Sequence, residues 1–423
     1  MKIGIFSDMH MGPYGDRVLP SNGLNARMMD YRDTLARIIS DMRHVHGVDQ
    51  ILFGGDMFKD KSGKPNPTQI KLVGSVFHDF GVFNGEPNTL MITGNHDLPR
   101  ASGEANALDC LNWIPRIMVV SKICLIENCG IQYILLPYPN RNAFMAHEQF
   151  KDMSIHEANE TIQALLVEEL HSLASKLDPN KPSILLAHVA LAESKAGSEN
   201  MMMMGRDICL SVSDIPDNID WCFFGHIHKP QMLSRTLNAD GSCNFIGSIR
   251  QEKQYVHVIG SPESVDFGEE GETKRWLLLD TDKGTVESIP TNSRKYLTVK
   301  ICNNADIIEQ LEPDYSPSEG LFVNMRDKVK DAIVRVKLLL RKNEQVDISR
   351  IRNDIMDAGA FSVKLEREYI PEDRDTSQGE QSGIESQTQE DILKEYCKTK
   401  NITGERAGKM VASGVQVMQE VGE

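Results

Sequence analysis

The sequence predicts an α/β fold, and three observations predict it. Five apolar runs in the first 230 residues each stop at Asp, Asn or His: IGIFSDMH, ILFGGDMF, TLMITGNHD, SILLAHVAL and WCFFGHIH. Four to six β-branched and aromatic residues in a row, halted by Gly or Ser, have the composition of buried parallel strands. Amphipathic helical stretches separate the first of these runs, as crossovers between parallel strands require. In open α/β sheets ligands bind where strands end at their carboxyl side. Five polar strand ends therefore point to one shared pocket.

Taken in order, Gly and Pro in residues 11–26 predict a loop over that pocket. A helix over Ala26–His46 places Leu35, Ile38, Ile39 and Met42 on one face and returns the chain to a strand at Gln50–Phe53. A polar loop, Lys59–Thr68, carries Lys59, Lys61 and Lys64, and a helix over Pro67–Phe80 leads to the third strand. Residues 103–114 read as helical. Met118–Cys124 and Ile131–Pro137 read as strands joined by a turn at Asn128–Gly130, and a charged helix over His156–Lys176 precedes the strand that delivers His188. The four methionines Met201–Met204 read as a mobile apolar loop or as a lid against substrate.

Beyond His228 the chain turns strand-rich, with strands expected at Asn244–Gly247, Val256–Ile259, Trp276–Asp280 and Thr285–Ile289. Tyr296–Cys302 opens a smaller α/β unit. It should hold a helix near Asp306–Glu312, an extended Gly320–Asn324, strand-like residues in Lys328–Arg341 and a helix–strand pair over Ile348–Lys364. Pro371–Gln389 is almost devoid of apolar residues and reads as a linker. The tail beyond it is amphipathic, with Ile392, Leu393 and Tyr396, then Met410, Val411, Val415 and Met418 at helical spacing. So small a helix pair should dock on its own chain or on a partner. The expected domains are 1–290, 291–370, a linker over 371–389 and a helical tail over 390–423.

With 423 residues the chain has room for two or three domains. No apolar run reaches the roughly 18–20 residues of a membrane span. Met1 leads straight into the first strand, so the chain is expected in the cytoplasm. Eight cysteines without a CxxC pair suit reduced, structural thiols. A net charge of −15 argues against nonspecific nucleic-acid binding by the whole surface, yet leaves room for a local basic groove.

The chemistry lies in the strand ends. Asp8 and His10 are two apart, and on an extended segment alternate side chains share a face. His226 and His228 repeat that spacing, and Asp56, Asn95 and His188 lie between. Asp with His suits borderline divalent ions such as Mn²⁺, Fe²⁺ or Zn²⁺. Six or seven donors exceed the needs of one ion and suffice for two, with a carboxylate between them. Such a pair activates water and clamps a phosphate. An uncoordinated His beside it would stabilise the developing charge or protonate the leaving group, a role that fits His96.

The ordered set DxH…GGD…GNHD…H…GHxH resembles the calcineurin-like metallophosphoesterases over roughly residues 1–265. More narrowly it is similar to the SbcD family of DNA-repair nucleases. The GGDMF wording, the segment IGSPESVDFG after the GHIH turn, and the order of a small α/β unit, acidic linker and helical tail carry that likeness. The resemblance implies an αββα sandwich of two face-to-face sheets with outer helices, a small α/β capping domain and a C-terminal helical tail. It implies one metal on Asp8, His10 and His228 and another on Asn95, His188 and His226. Asp56 would bridge them, His96 would be the catalytic histidine, and Asp97 would orient it. The metals implied are two divalent ions, Mn²⁺ foremost. The activity implied is double-stranded exonuclease and single-stranded endonuclease action with an SbcC-type, SMC-like ATPase bound through the tail, as a homodimer in a heterotetramer. That work belongs to DNA repair, recombination or phage DNA processing, in a bacterial cytoplasm or nucleoid or an infected host. Where many members place a His after the GD turn, this chain has Lys59.

Apart from any family, Arg326, Lys328, Lys330, Arg335, Lys337, Arg341 and Lys342 face only two Asp between Leu321 and Lys342. This reads as a stripe for phosphates or as a solvated face. With Lys59 and Lys61, the residues Arg326, Lys328, Arg335 and Lys337 are the DNA-binding candidates. A small-molecule or protein phosphoesterase would share every metal residue and leave the capping unit idle. A scaffold without catalysis would be expected to have lost ligands, and all seven are present with His96.

Overall fold

In the computed structural model the described residues are 1–15, 17–60, 64–80, 88–99, 103–146, 150, 152–195, 207–234, 255–302, 326–340 and 346–369, with 394, 397, 402, 407–411 and 413. The expected linker at 371–389 lies outside them. So do Lys61, Met201–Met204, Asn244–Gly247, Asp306–Glu312, Gly320–Asn324, Arg341 and Lys342.

Strand β1 (Lys2–Phe6) is followed by helix α1 (Ala26–His44), which starts where the Asn25 side chain accepts the Met28 N–H. The helix lies close over β1 because residue 4 is glycine; a Cβ there would come within 2.6 Å of the Met42 sulfur. Then come β2 (Gln50–Phe53), α2 (Pro67–Phe80) and β3 (Thr89–Ile92). The expected helix at 103–114 is only a 3-10 turn at Asp109–Trp113.

The expected pair of strands after it is three: β4 (Ile117–Val120), β5 (Cys124–Asn128) and β6 (Ile131–Leu136). The chain changes sheet between β4 and β5, a step that apolar patterning does not record. The tight turn at Cys129 (φ 51°) and Gly130 (φ 78°) has the two positive φ values that match hairpin twist.

Helix α3 (Arg141–Met145) and α4 (Ile155–Ala174) follow, the latter opened by a reciprocal Ser154–Glu157 capping box. The remaining strands of this part are β7 (Ser183–Ala187), β8 (Ala190–Leu191), β9 (Cys209–Leu210), β10 (Trp221–Phe224), β11 (Gln231–Ser234), β12 (Tyr255–Val258), β13 (Arg275–Asp280) and β14 (Thr285–Pro290).

Among the described residues two six-stranded sheets result, ordered β14-β13-β1-β2-β3-β4 and β11-β12-β10-β7-β6-β5. β1-β2-β3-β4 and β12-β10-β7-β6 run parallel, and antiparallel strands close the edges of both sheets except at β4, which pairs parallel with β3. Alternate residues of both sheets, among them Ile3, Ile5, Leu52, Leu90, Tyr133, Leu186, Trp221 and Phe223, fill one layer between them. The opposite faces pack outward, Phe53 and Met91 with α1 and α2, and Leu185 and Cys222 with α4. The architecture is a four-layer αββα sandwich. Because the parallel strands of both sheets have their carboxyl ends at one rim, the sandwich brings those ends together.

Strand β15 (Tyr296–Cys302), a helical turn α5 (Arg326–Val329), β16 (Ile333–Leu340), α6 (Ile348–Asp357) and β17 (Ser362–Tyr369) make a three-stranded sheet with its own core of Val299, Val334, Val336, Leu338 and Ile355. The expected strand character of Lys328–Arg341 thus begins only at Ile333. Arg294 fastens this unit to α1, with Nε and Nη2 each 2.7 Å from the Asp30 carboxylate and Nη1 donating to the Asp331 carbonyl. Met1–Glu368 forms one compact unit and Tyr369–Glu423 another. In the second, residues 394, 397, 407–411 and 413 are helical, and Cys397 and Val411 are buried. Among the described residues no helix is long and apolar enough to cross a membrane.

Candidate metal centre

Backbone conformation, more than strand pleating, aims the polar side chains. Asp8 (φ 54°), His10 (φ 44°), Asp56 (φ 60°) and His226 (φ 79°) all sit in the left-handed region. Non-glycine residues held there cost free energy and collect at functional sites. The expectation that Asp8 and His10 converge by alternation along an extended segment is therefore corrected, since β1 ends at Phe6 and left-handed turns do the aiming. The turns are held by their neighbours: Asp8 N–H donates to the Gly55 carbonyl at 2.9 Å and His10 N–H to the Asp56 carbonyl at 3.0 Å. Glycine at 94 is obligatory, because a Cβ would overlap the Asp56 carboxylate.

These turns assemble two groups of donors around Asp56. On one side His10 Nε2 is 3.6 Å from Asp56 Oδ2, 3.9 Å from Asp8 Oδ1 and 2.8 Å from His228 Nε2. On the other, His188 Nε2 is 3.5 Å from the same Asp56 oxygen, and Asn95 Oδ1 lies 3.3 Å from His188 Nε2 and 3.0 Å from His226 Nδ1. The Asp8 carboxylate accepts the His226 N–H, 3.0 Å from Oδ2, and so ties the two sheets together at the rim. All seven residues expected as ligands come together. His96 stands at the edge, its Nε2 3.9 Å from Asp56 Oδ2 and its ring 4.6 Å from that of His10.

Four of the five imidazoles are fixed from behind. His188 Nδ1 meets the Gly54 carbonyl at 2.5 Å, His96 Nδ1 the Lys59 carbonyl at 2.6 Å, His228 Nδ1 the Glu269 carboxylate at 2.9 Å and His226 Nε2 the Asp207 carboxylate at 2.6 Å. Such partners set which ring nitrogen is left for a cation. Asp97, expected to orient His96, has its described hydrogen bonds elsewhere. Its two oxygens instead accept the N–H groups of Asp56, Met57 and Gly94, so it shapes the turn that carries Asp56.

Burial raises the Asp8 pKa, and burial with the facing His228 holds His10 well below its ordinary value. Burial also disfavours charge on Asp56 and on His188, but their mutual attraction prevails. Asp56 is held well below the usual carboxylate range by His188 and His96, and His188 is raised to about 9 by Asp56. Burial and the Asp56 charge push Asp97 up to about 7. Although burial opposes it, the His228 hydrogen bond and the Lys274 charge bring Glu269 down to about 2. A buried carboxylate thus stays ionised at the middle of the cluster, with imidazoles on both flanks.

A profile of the family described as calcineurin-like phosphoesterase matches residues 1–230. The chain belongs to the calcineurin-like phosphoesterase family. The SbcD component of the nuclease SbcCD from Staphylococcus epidermidis is 24% identical over 272 residues, which are 62% of this chain and 64% of that protein. The match thus spans less than two thirds of that relative. A dimetal phosphatase from Danio rerio is a structural neighbour at a TM-score of 0.35 and 10% identity, covering 66% of this chain and 91% of that one.

Calcineurin-like phosphoesterases use a dinuclear divalent centre, and the donors here fit one. Two imidazole nitrogens facing each other at 2.8 Å beside a carboxylate need a proton or a cation between them. Three tight groups, Asp8–His10–His228, His10–Asp56–His96 and Asp56–His188–His226, adjoin through His10 and Asp56. Mixed carboxylate and imidazole donors suit borderline divalent ions.

Sequence reasoning alone does not single out Asp207, Tyr138 or Glu269. Tyr138 and Asp207 are single residues in loops and Glu269 ends a short 3-10 turn, each with no fixed spacing to the motif it supports. Glu269 does follow closely on the IGSPESVDFG segment, and Tyr138 closes the apolar run of β6, so position relative to strand ends is the available signal.

Among the described residues the DNA-binding candidates do not form one stripe. The Lys59 ammonium donates to the Pro13 carbonyl at 2.7 Å and lies 3.9 Å from the Tyr14 ring centre. Lys328 is exposed on α5, bordering a cleft of about 660 Å³ with Asp30 and Arg294. Arg335 and Lys337 lie on the polar face of the small sheet, paired in register with Thr298 and Lys300. Arg335 donates to Thr298 and covers the Phe267 ring at 4.4 Å, and Lys337 is 3.8 Å from Glu368. Of Arg326 only the backbone is described, as the first residue of α5.

Proposed function

We propose that this chain is a metal-dependent DNA nuclease that works with an SbcC-type, SMC-like ATPase. One observation carries the hydrolytic reading: a single buried carboxylate oxygen of Asp56 lies 3.6 Å from His10 and 3.5 Å from His188, with a further set of donors on each side. Asp8, His10 and His228 would hold one ion and Asn95, His188 and His226 the other, with Asp56 shared; Mn²⁺ is the ion proposed. When bound, such a pair lowers the pKa of water and neutralises charge on a phosphodiester.

His96 would act on the leaving oxygen. Its Nδ1–H donates to the Lys59 carbonyl, so Nε2 carries a proton only in the imidazolium form. That form can donate Nε2–H to the leaving oxygen and revert to the neutral tautomer that the carbonyl already favours. Asp56, ionised and 3.9 Å away, favours the charged ring.

The DNA part of the reading is supported by the small sheet. Its polar face packs through Tyr296 and Arg335 on Phe267, two residues from the Glu269 that holds His228. Lys300 and Lys337 continue that face outward. The likeness to a nuclease component supports the same substrate class and an ATPase partner; that the tail binds this partner, that the chain is a homodimer within a heterotetramer, and that it works in the cytoplasm or nucleoid are part of the proposal.

The test is parallel turnover of double-stranded DNA and a phosphomonoester such as p-nitrophenyl phosphate in Mn²⁺, for the parent, Asp8→Ala and His96→Ala. DNA cleavage lost in both variants supports the reading. Phosphomonoester turnover with intact DNA in every sample would replace it with a small-molecule phosphatase.

A further inference from the structure

Both histidines of the GHIH turn are backed by a carboxylate, but the two backings differ in construction. Glu269, which holds His228, is fully buried and forms an ion pair at 2.8 Å with an equally buried Lys274, and its Oε2 accepts the Val265 N–H. Asp207, which holds His226, is 12% exposed, and among the described residues no lysine or arginine forms an ion pair with it. Its other oxygen accepts the Tyr138 hydroxyl at 2.5 Å and the Ile208 N–H at 2.9 Å. Tyr138 lies two residues beyond the end of β6, its N–H donates to the Thr93 carbonyl, and its ring lies 5.5 Å from His226 and 6.2 Å from His188.

We infer that Tyr138 and Asp207 are positioning residues for one half of the metal centre, the half formed by Asn95, His188 and His226. The Tyr138 hydroxyl fixes Asp207, and Asp207 accepts His226 Nε2–H. That leaves the Nδ1 lone pair directed at Asn95 Oδ1, where a cation would sit. Asp207 lies 19 residues from His226 in sequence and Tyr138 lies in the loop after β6, so the support crosses three loops. Because among the described residues this backing has no counterpart to the buried Glu269–Lys274 ion pair, the His226 half-site should be the weaker of the two. The inference rests on the dinuclear reading of the centre.

The experiment is a titration of metal-free full-length protein with Mn²⁺, followed by calorimetry and by the electron paramagnetic resonance signal of a coupled Mn²⁺ pair. The parent should bind two ions with unequal affinity. Asp207→Ala should weaken the second ion by about 10–100-fold and abolish the coupled signal, while the first ion binds as in the parent. Tyr138→Phe, which removes one hydroxyl, should shift the same step toward the lower end of that range. Melting in chelator should match the parent for both variants. Two ions bound by Asp207→Ala with parental affinity, or loss of both ions, overturns the assignment while leaving the dinuclear reading standing. A parent that binds no Mn²⁺ overturns both.

Discussion

His10 and His228 face each other Nε2 to Nε2 at 2.8 Å, on loops from different sheets. Neutral rings both aiming lone pairs there would repel, so the contact holds a shared proton or a cation. A cation that binds the folded chain alone stabilises it by mass action, about 2.7 kcal/mol per site at a hundredfold excess over Kd. Thermal melting in Mn²⁺ against chelator should therefore show a clear upward shift in the parent and a much smaller one in His10→Ala. Equal shifts in both proteins would mean that the ion binds elsewhere.

His96 is held by the Lys59 carbonyl at the rim and makes no contribution to the two expected ligand sets. His96→Ala should lower single-turnover DNA cleavage by about 10²–10⁴-fold, the range for a positioned acid, with bound Mn²⁺ unchanged. Loss of a metal ion in this variant would make His96 a ligand instead.

Arg294 joins the small unit to α1 through Asp30, whose half-buried carboxyl, although partial burial opposes this, is held below its ordinary pKa by Arg294 and Arg27. A depressed carboxylate adds stability above its unfolded pKa, and that stability disappears as pH falls through the folded value. Asp30→Asn should cost about 1.5–3 kcal/mol at pH 7, as for hydrogen bonds to charged groups. In urea unfolding the difference from the parent should shrink as the pH drops below the usual carboxylate range. A gap that persists at low pH would point to packing in place of charge.

Lys300 and Lys337 are paired in register on the polar face of the small sheet. If DNA lies along that face, Lys300→Glu with Lys337→Glu should weaken duplex binding and flatten its salt dependence by about one unit of slope for each lost phosphate contact. Turnover of a small phosphomonoester should be unaffected. An unchanged slope removes this face from the DNA path.

Much of this centre was legible in the sequence because apolar strands and polar ends follow each other in register. Gln50–Phe53, Pro67–Phe80 and Tyr296–Cys302 fall where periodicity puts them, and all seven candidate ligands meet at one rim. The means by which they meet was not legible. Nothing in DMH signals positive φ at both Asp8 and His10, since that conformation is imposed by the hydrogen bonds to Gly55 and Asp56 across the sheet. The switch between β4 and β5 was equally hidden, because both strands carry the same apolar composition although they belong to different sheets. Asp207 and Glu269 are long-range partners whose role exists only once His226 and His228 are in place.

The central claim is that Asp56 stands between two divalent ions. Anomalous diffraction at the manganese edge, from crystals soaked in Mn²⁺, tests it most directly. Two peaks about 3.5–4 Å apart, one beside Asp8, His10 and His228 and one beside Asn95, His188 and His226, are the predicted result. No peak at this rim, or a single peak that leaves either set of side chains without an ion, would contradict it.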